Sequence, residues 1–330
     1  MTLAEALRSW SDGDIAQKRD ILRRVLRKGL FYPENLLCLI GMIWNYLKCV
    51  SVEKKRMTID RSVWSTQFMK HLGKRLSVHD NASARTENER LLRQFTRQDG
   101  ADVFPLPGGF LLSLPPVDNA REIAVNDLRE IVVEKIYEYG EVRVRPHDVV
   151  LDCGANIGLF SLLALSGLKD QGQLIAIEPV PVIRTVLEKN LSQAAGRVVC
   201  RILEQPVFRD SRKMDLLLTP DVFTMHHLDV NRSRLETKGS ALSVQTTTID
   251  EMAKTFQWPR VDFIKMDIEG AEMDALAGAA TTLKRWKPRL AISAYHLFDD
   301  FYEIPRRIYK INPSYHIEVR RGLSPMCYAW

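Results

Sequence analysis

The chain has 330 residues, with 47 Lys and Arg against 41 Asp and Glu and a formal net charge of +6. A composition of 45% hydrophobic and 27% charged residues excludes disordered, collagenous and fibrous classes. The charge surplus is confined to residues 1–120, which hold 19 basic and 13 acidic residues; residues 121–330 balance at 28 and 28. A balanced C-terminal part without an arginine-rich run does not suit a phosphate backbone, so no nucleic-acid partner is expected. The five cysteines, Cys38, Cys49, Cys153, Cys200 and Cys327, are odd in number. Their spacing matches neither a zinc site nor a disulfide framework, so a reduced, cytoplasmic protein is expected. The N-terminus lacks the basic-then-apolar order of a secretory signal.

Residues 1–98 read as a helical extension, with apolar positions such as Ile21, Val25 and Leu26 recurring among charges. The most apolar stretch, Leu36–Val50, is shorter than the ~20 residues that span a membrane. It reads as a buried helix; flanking basic residues (Arg23–Lys28 and Glu53–Arg56) also suit an interfacial one, which would touch a membrane surface. Paired Gly and several Pro over Asp99–Pro116 predict turns around a hairpin, with a strand at Phe110–Leu114. A helix is predicted over Asn126–Tyr139, capped by Asn126 or Asp127 and ended by Gly140. From Asp148 onward strands and helices alternate. Strands are predicted at Asp148–Asp152, Gln173–Glu178, Arg197–Leu203, Val261–Asp267 and Arg289–Tyr295. Helices are predicted from Leu159, over Pro181–Ala194, Thr246–Phe256 and Glu269–Leu283, and around Pro305. A less regular stretch, Glu204–Gln245, carries a hairpin, and the chain closes on another. Apolar strands alternating with helices mean an α/β fold with a doubly wound, mostly parallel sheet.

Two motifs carry a ligand site. In VVLDCGANIGLFS (Val149–Ser161) a strand ends in Asp152 and a Gly-containing turn opens directly into a helix. Gly154 permits close approach, Asn156 tolerates a left-handed conformation, and Gly158 permits tight packing where the helix begins. The helix N-terminus offers free N–H groups to an anionic group. The D-x-G-x-N-x-G spacing is not G-x-G-x-x-G, which disfavours a nicotinamide dinucleotide and hence a dehydrogenase. Glu178 ends the next strand, where an acid accepts hydrogen bonds from both ribose hydroxyls of a nucleoside. Together these residues predict a nucleoside-cofactor site.

DCGANIGLFS, IAIEP, VDFIKMDIEGAEMDALAGA and LAISAYH, taken in order, resemble the signatures of the FkbM family of S-adenosylmethionine-dependent methyltransferases. The resemblance covers about residues 142–320, within a domain spanning 99–330. It implies a class I methyltransferase (Rossmann-like) fold with about seven strands, the last antiparallel. It implies S-adenosyl-L-methionine as cofactor and methyl transfer to a hydroxyl of a sugar, glycan or other natural product. On that basis Asp152, Gly154, Ala155, Asn156, Gly158 and Leu159 would surround the methionine part of the cofactor. Glu178 and Pro179 would hold the ribose, and Glu204 and its neighbours to Val207 would sit beside adenine.

Two further features concern the acceptor. In KMDIEG, Lys265, Asp267 and Glu269 project to one side if the extended conformation persists. Asp267 is the first candidate for the proton acceptor. Alternatively, Glu269 caps the following helix and Lys265 neutralises Asp267. A D-x-E pair can hold Mg²⁺, but two carboxylates do not complete a site, and no metal is assigned. His296, after a strand end, is the second candidate base. His226 and His227 fall in the irregular stretch and could face the acceptor. A methyltransferase acting on RNA or protein, and a silent cofactor-binding partner in a biosynthetic complex, remain alternative readings. The acceptor's identity and the oligomeric state are not written in the sequence.

Overall fold

The computed structural model describes residues 57–59, 82–169, 172–218, 227–228, 240–297, 300–320 and 324–330. The chain divides into two units, Met1–Ile59 and Asp60–Trp330. Of the first, the described part is one short strand, β1 (Met57–Ile59). The stretch Leu36–Val50 and His226 lie outside the described residues. The helical reading of residues 1–98 meets the structure at α1 (Ala82–Leu92), which is helical, and at β1 and β2 (Thr96–Gln98), which are strands.

The second unit begins with α1 and an antiparallel meander of β2, β3 (Ala101–Pro105) and β4 (Leu111–Ser113). The expected strand at Phe110–Leu114 is β4, but it pairs in a three-stranded sheet rather than a lone hairpin. Next, α2 runs over Ala120–Leu128 and widens into a π-turn at Arg129–Val133. The expected start at Asn126 is corrected: the N-cap is Asn119, in the left-handed region at φ 57°. Ala120, Ala124 and Val125 form the buried face of the added turns, and small apolar residues of this kind do not stand out in a hydrophobic pattern. The helix also stops short of Tyr139, because Lys135 adopts φ 52° and reverses the chain. Gly140 then sits in a turn closed by a bridge between Tyr139 and Val142.

The main sheet contains β5 (Val149–Cys153), β6 (Gln173–Ile177), β7 (Val199–Leu203), β11 (Phe263–Met266), β12 (Arg289–Ser293), β13 (Ile317–Arg320) and β14 (Met326–Ala329). Within the second unit the spatial order is β13-β14-β12-β11-β5-β6-β7. The pairs from β12 through β7 are parallel, and β14 runs antiparallel to both its neighbours. This is the class I methyltransferase arrangement, including its antiparallel last strand. Strands β5 and β11 are buried at every residue, as parallel strands covered on both faces must be. Strand β7 alternates between half-buried and exposed because it is the edge.

Helices α3 (Leu159–Gly167) and α4 (Pro181–Leu191) follow β5 and β6. The stretch after β7 folds into a second antiparallel meander of β8 (Lys213–Leu217), β9 (His227–Leu228) and β10 (Ala241–Gln245). Helix α5 (Ile249–Thr255) opens on a reciprocal cap. Thr248 Oγ1 accepts from the Glu251 N–H at 2.9 Å, and Glu251 accepts from the Thr248 N–H at 3.2 Å. The helix expected over Glu269–Leu283 is two helices, α6 (Glu272–Ala277) and α7 (Ala280–Arg285). They divide at Gly278, where any Cβ would overlap the carbonyl oxygen of Phe208. Helix α8 (Asp300–Ile311), containing Pro305, precedes the last two strands.

Two side chains tie the first meander to the core. Gln193 exchanges hydrogen bonds with the Leu111 N–H and carbonyl at 2.8 and 2.7 Å, and Asn190 of α4 is fully buried. Its Oδ1 accepts from the Ser113 N–H at 2.8 Å, and its Nδ2 donates to Ser113 O at 3.0 Å and Ile157 O at 2.7 Å. Asn190 thus completes an edge pairing that the strand lacks and fastens it to the turn after β5. Asn190→Ala leaves buried backbone groups unpaired. It is expected to lower unfolding free energy by about 2–4 kcal/mol in urea denaturation; a loss under about 0.5 kcal/mol would mean that water replaces the amide.

Candidate active site

Strands β5 and β11 lie side by side, and the chain winds outward from them in both directions. Their carboxyl ends therefore border the crevice of the sheet's switch point, where open α/β sheets bind ligands. The turn after β5 is built as the spacing predicts. Gly154, Asn156 and Gly158 have φ of 77°, 51° and 92°. A Cβ at Gly154 would overlap the backbone carbonyl oxygen of Asp267, and one at Gly158 would press on Leu187. The Gly154 and Ala155 N–H groups both donate to Ile177 O, at 3.1 and 3.0 Å, which seats the turn on β6. Leu159, buried, opens α3.

Asp152 and Lys265 stand on adjacent strands in register. Both are buried, with Lys265 Nζ 3.0 Å from Asp152 Oδ1. Ser161 donates to the other carboxylate oxygen at 2.6 Å. Lys265 Nζ also donates to Gly154 O at 2.5 Å and Cys153 O at 3.3 Å. Burial works against the ammonium, but the charges of Asp152 and then Asp267 outweigh it and hold the lysine above its usual range. The alternative in which Lys265 offsets the charge of Asp267 thus describes the smaller of its two charge interactions. The lysine clamps the cofactor-type turn from beneath, and Asp152 anchors the clamp.

Glu178 lies just past β6 and is buried. Its Oε2 accepts from the Asn156 N–H and its Oε1 from the Val180 N–H, each at 2.9 Å. Each oxygen retains a second lone pair for an incoming hydroxyl. Burial raises the carboxyl to about 7 against the pull of those two N–H groups. Arg184, which carries no motif, links the tips of β6 and β7. It donates to Glu178 O at 3.2 Å and Pro179 O at 3.3 Å and pairs with Glu204 at 3.2 Å. Glu204 itself is largely exposed, consistent with a rim position.

Asp267 follows β11 immediately. The extended conformation stops there, so Glu269 does not continue the strand; it sits in a turn at φ 55°. Tyr137 Oη donates to Asp267 Oδ2 at 2.6 Å, and Tyr295 Oη donates to Oδ1 at 3.3 Å. The Tyr137 ring packs edge-on to Phe160 and lies 5.3 Å from Lys265 Nζ. Tyr328, whose Oη donates to Ile136 O at 2.7 Å, fixes the turn that carries Tyr137. Burial would raise the Asp267 carboxyl, but the neighbouring cations His296 and Lys265, with the Tyr137 hydroxyl, bring it below its usual range.

His296 adds a ring among carboxylates. Its Nδ1 stands 2.9 Å from Glu272 Oε1, and its Nε2 stands 3.3 Å from Asp267 Oδ1 and 3.4 Å from Glu269 Oε2. Burial would lower its pKa, but Glu272 and Glu269 dominate and push it up to about 10. Such a shift favours the protonated ring, which weighs for Asp267 over His296 as the proton acceptor. Glu272, fully buried, accepts from the Ile268 and Gly270 N–H groups at 2.9 and 3.0 Å. Glu272 thus holds the turn that precedes α6, whose N-cap, Ala271, makes no side-chain cap. Asp127 and Glu130, from α2 and its π-turn, are both pushed to about 7, chiefly by burial and further by nearby negative charge including Asp267. Of the two histidines in the irregular stretch, His227 has its backbone paired with Leu217 in the second meander.

Tyr137, Asp127 and Glu130 escape a motif reading because long-range folding brings them in. Tyr295 and Glu272 lie inside quoted motifs but carry no signal of their own.

Residues 152–321 match the model described as "Methyltransferase FkbM domain", just over half of the chain. The chain belongs to the FkbM methyltransferase family. Among curated FkbM-like relatives, the 31-O-demethyl-FK506 methyltransferase FkbM of Streptomyces tacrolimicus is 28% identical, over 46% of this chain and 66% of that one. The hexuronic acid methyltransferase AglP of Haloferax volcanii is 26% identical, over 51% and 64%. The AMB antimetabolite synthetase AmbE of Pseudomonas aeruginosa is 27% identical, over 46% of this chain but 8% of its own length. The chain thus spans less than two thirds of AglP and a small part of AmbE. A solved structure, methyltransferase FkbM from Methylobacillus flagellatus, is 18% identical with a TM-score of 0.45, covering 80% of this chain and 65% of that one. Among the described residues no helix is long and apolar enough to cross a membrane.

Lys265→Met keeps the volume of the clamp but leaves Asp152 buried without its cation. It is expected to cost about 3–5 kcal/mol of unfolding free energy in urea titration, with much of the loss recovered by adding Asp152→Asn. Wild-type stability in the single variant would show that the pair does not hold the turn.

Proposed function

We propose that this chain is an S-adenosylmethionine-dependent methyltransferase acting on a hydroxyl of a sugar, glycan or related natural product. The observation that carries this reading is the contact between two motifs. The Asp267 carbonyl closes on Gly154, so the ligand turn of β5 and the carboxylate after β11 form one rigid unit at the switch point.

The residues fit the cofactor. The positions at Gly154 and Gly158 are shaped for close approach, and the spare lone pairs of Glu178 suit a ribose diol. Gly154, Ala155, Asn156, Gly158 and Leu159 would border its methionine part. Glu178 and Pro179 would border the ribose, and Glu204 the adenine side. When bound, the cofactor supplies a methyl group on a positively charged sulfur, already a good leaving group. The protein's own work is to orient the acceptor oxygen, worth roughly 7–11 kcal/mol, and to manage its proton. Asp267, ionised and held by two tyrosine hydroxyls, accepts the acceptor O–H and shares its proton as bonding develops. His296, a cation, stabilises that carboxylate rather than taking the proton itself.

Two relatives, a 31-O-demethyl-FK506 methyltransferase and a hexuronic acid methyltransferase, support an oxygen acceptor on a natural product or sugar. The charge balance of residues 121–330 supports an acceptor that is not a polyanion. We assign acceptor choice to residues 204–245, the final hairpin and the N-terminal region, and location to the cytoplasm.

Asp267→Ala is expected to reduce transfer of labelled methyl groups to a glycan or polyketide panel by about 10²-fold or more. Cofactor affinity measured by calorimetry should hardly change. Full activity in that variant would remove Asp267 from the reaction. Because Glu178 titrates at about 7, its carboxylate form dominates above that pH, and only that form accepts two ribose hydroxyls. Cofactor affinity is therefore expected to rise by up to about tenfold from pH 6 to pH 8, and to lose this dependence in Glu178→Gln. A flat wild-type profile would contradict the ribose assignment.

A further inference from the structure

Three carboxylates gather around His296. Asp267, Glu269 and Glu272 converge on one ring, while the nearby Lys265 is committed to Asp152. The His296 side chain is 9% exposed. Both of its ring nitrogens are sealed from solvent, and neither meets a partner at hydrogen-bonding angles, although carboxylate oxygens stand 2.9–3.4 Å away. One oxygen from Asp267, one from Glu272 and one ring nitrogen of His296 all lie within 4.8 Å of one another. Neighbouring ligands around an ion at ~2.1 Å are separated by roughly 3 Å and opposite ones by roughly 4.2 Å, so small side-chain adjustments close the set.

We infer that Asp267, Glu272 and His296 form a site for one divalent cation, whose open positions take hydroxyl oxygens of the acceptor; the ion displaces the proton that His296 carries without it, and the ring then coordinates as neutral imidazole. The acceptor part rests on the methyltransferase reading; the cation site does not. One nitrogen and two carboxylates suit an ion that accepts both donor types, such as Mn²⁺, better than one that takes oxygen alone. Glu272 is preset for the role, because the Ile268 and Gly270 N–H groups fix its carboxylate in place. Glu269, in its turn beside Nε2, stands at the rim of the set. The sequence offers only the D-x-E pair; folding adds the imidazole and the third carboxylate. A cation here lowers the pKa of a bound acceptor hydroxyl, so the oxygen is presented to the methyl group closer to its alkoxide form. The proton leaves to solvent or to a neighbouring carboxylate, the new C–O bond forms, and the C–S electron pair returns to sulfur.

The test uses full-length protein dialysed against EDTA and titrated with Mn²⁺ alone, without cofactor or acceptor, followed by electron paramagnetic resonance. The expected result is one saturable Mn²⁺ with ¹⁴N spin-echo modulation from a directly bound imidazole. Affinity should fall at least about tenfold in His296→Gln. Because that variant could fold poorly, the nitrogen signal in the wild-type protein is the deciding measurement. No saturable binding, or bound Mn²⁺ without nitrogen coupling, overturns the site. Methyl transfer undiminished in EDTA-treated protein overturns the cation's role while leaving the methyltransferase reading intact. Mn²⁺ bound with nitrogen coupling, but no transfer to any acceptor, upholds the cation site and counts against that reading.

Discussion

A buried ammonium between two parallel strands organises this molecule. Lys265 on β11 faces Asp152 on β5, and neither could be buried there alone, since an unpaired charge in that interior costs several kcal/mol. Once paired, the lysine has donors to spare, and it directs them at the Cys153 and Gly154 carbonyls. The turn after β5 is thereby pulled down over the end of β11. That closeness is why position 154 must be glycine, since the Asp267 carbonyl occupies the space of any side chain. One ion pair thus sets the distance between the two halves of the site.

The same neighbourhood shows how electrostatics divides labour among similar groups. Glu178 and Asp267 are both carboxylates following adjacent parts of one sheet edge. Glu178 has two N–H dipoles and a weaker pull from Lys265 to offset its burial and is raised to about 7. Asp267 has cations and a tyrosine hydroxyl and stays ionised. Their difference suits one to a neutral diol and the other to a proton that develops during reaction. His296 owes its charge to Glu272 and Glu269, so its role follows from what folding places around it rather than from being a histidine.

Much of the sheet was legible because its cause is local. Apolar runs such as Val149–Cys153 and Gln173–Ile177 have the length and composition of buried parallel strands, and the glycines and Asn156 announce a turn with positive φ. Where local reading erred, a distant contact intervened. The helix after Glu269 breaks at Gly278 because Phe208's backbone crosses it. The helix before β5 starts early, at Asn119, on alanines whose burial depends on what packs against them. Tyr137 reaches Asp267 from 130 residues away, a juxtaposition that no spacing encodes.

The sequence by itself determined the α/β class, the strand order's carboxyl-edge ligand turn, and the residue types Asp152, Gly154, Glu178 and Asp267, because strand periodicity and turn stereochemistry act over a few residues. Only the tertiary structure decided which charges face one another. It paired Lys265 with Asp152, set Glu272 to hold the turn before α6, and surrounded His296 with three carboxylates. Charge pairing depends on distances and burial across the fold, and those exist only once the sheet and its loops have closed.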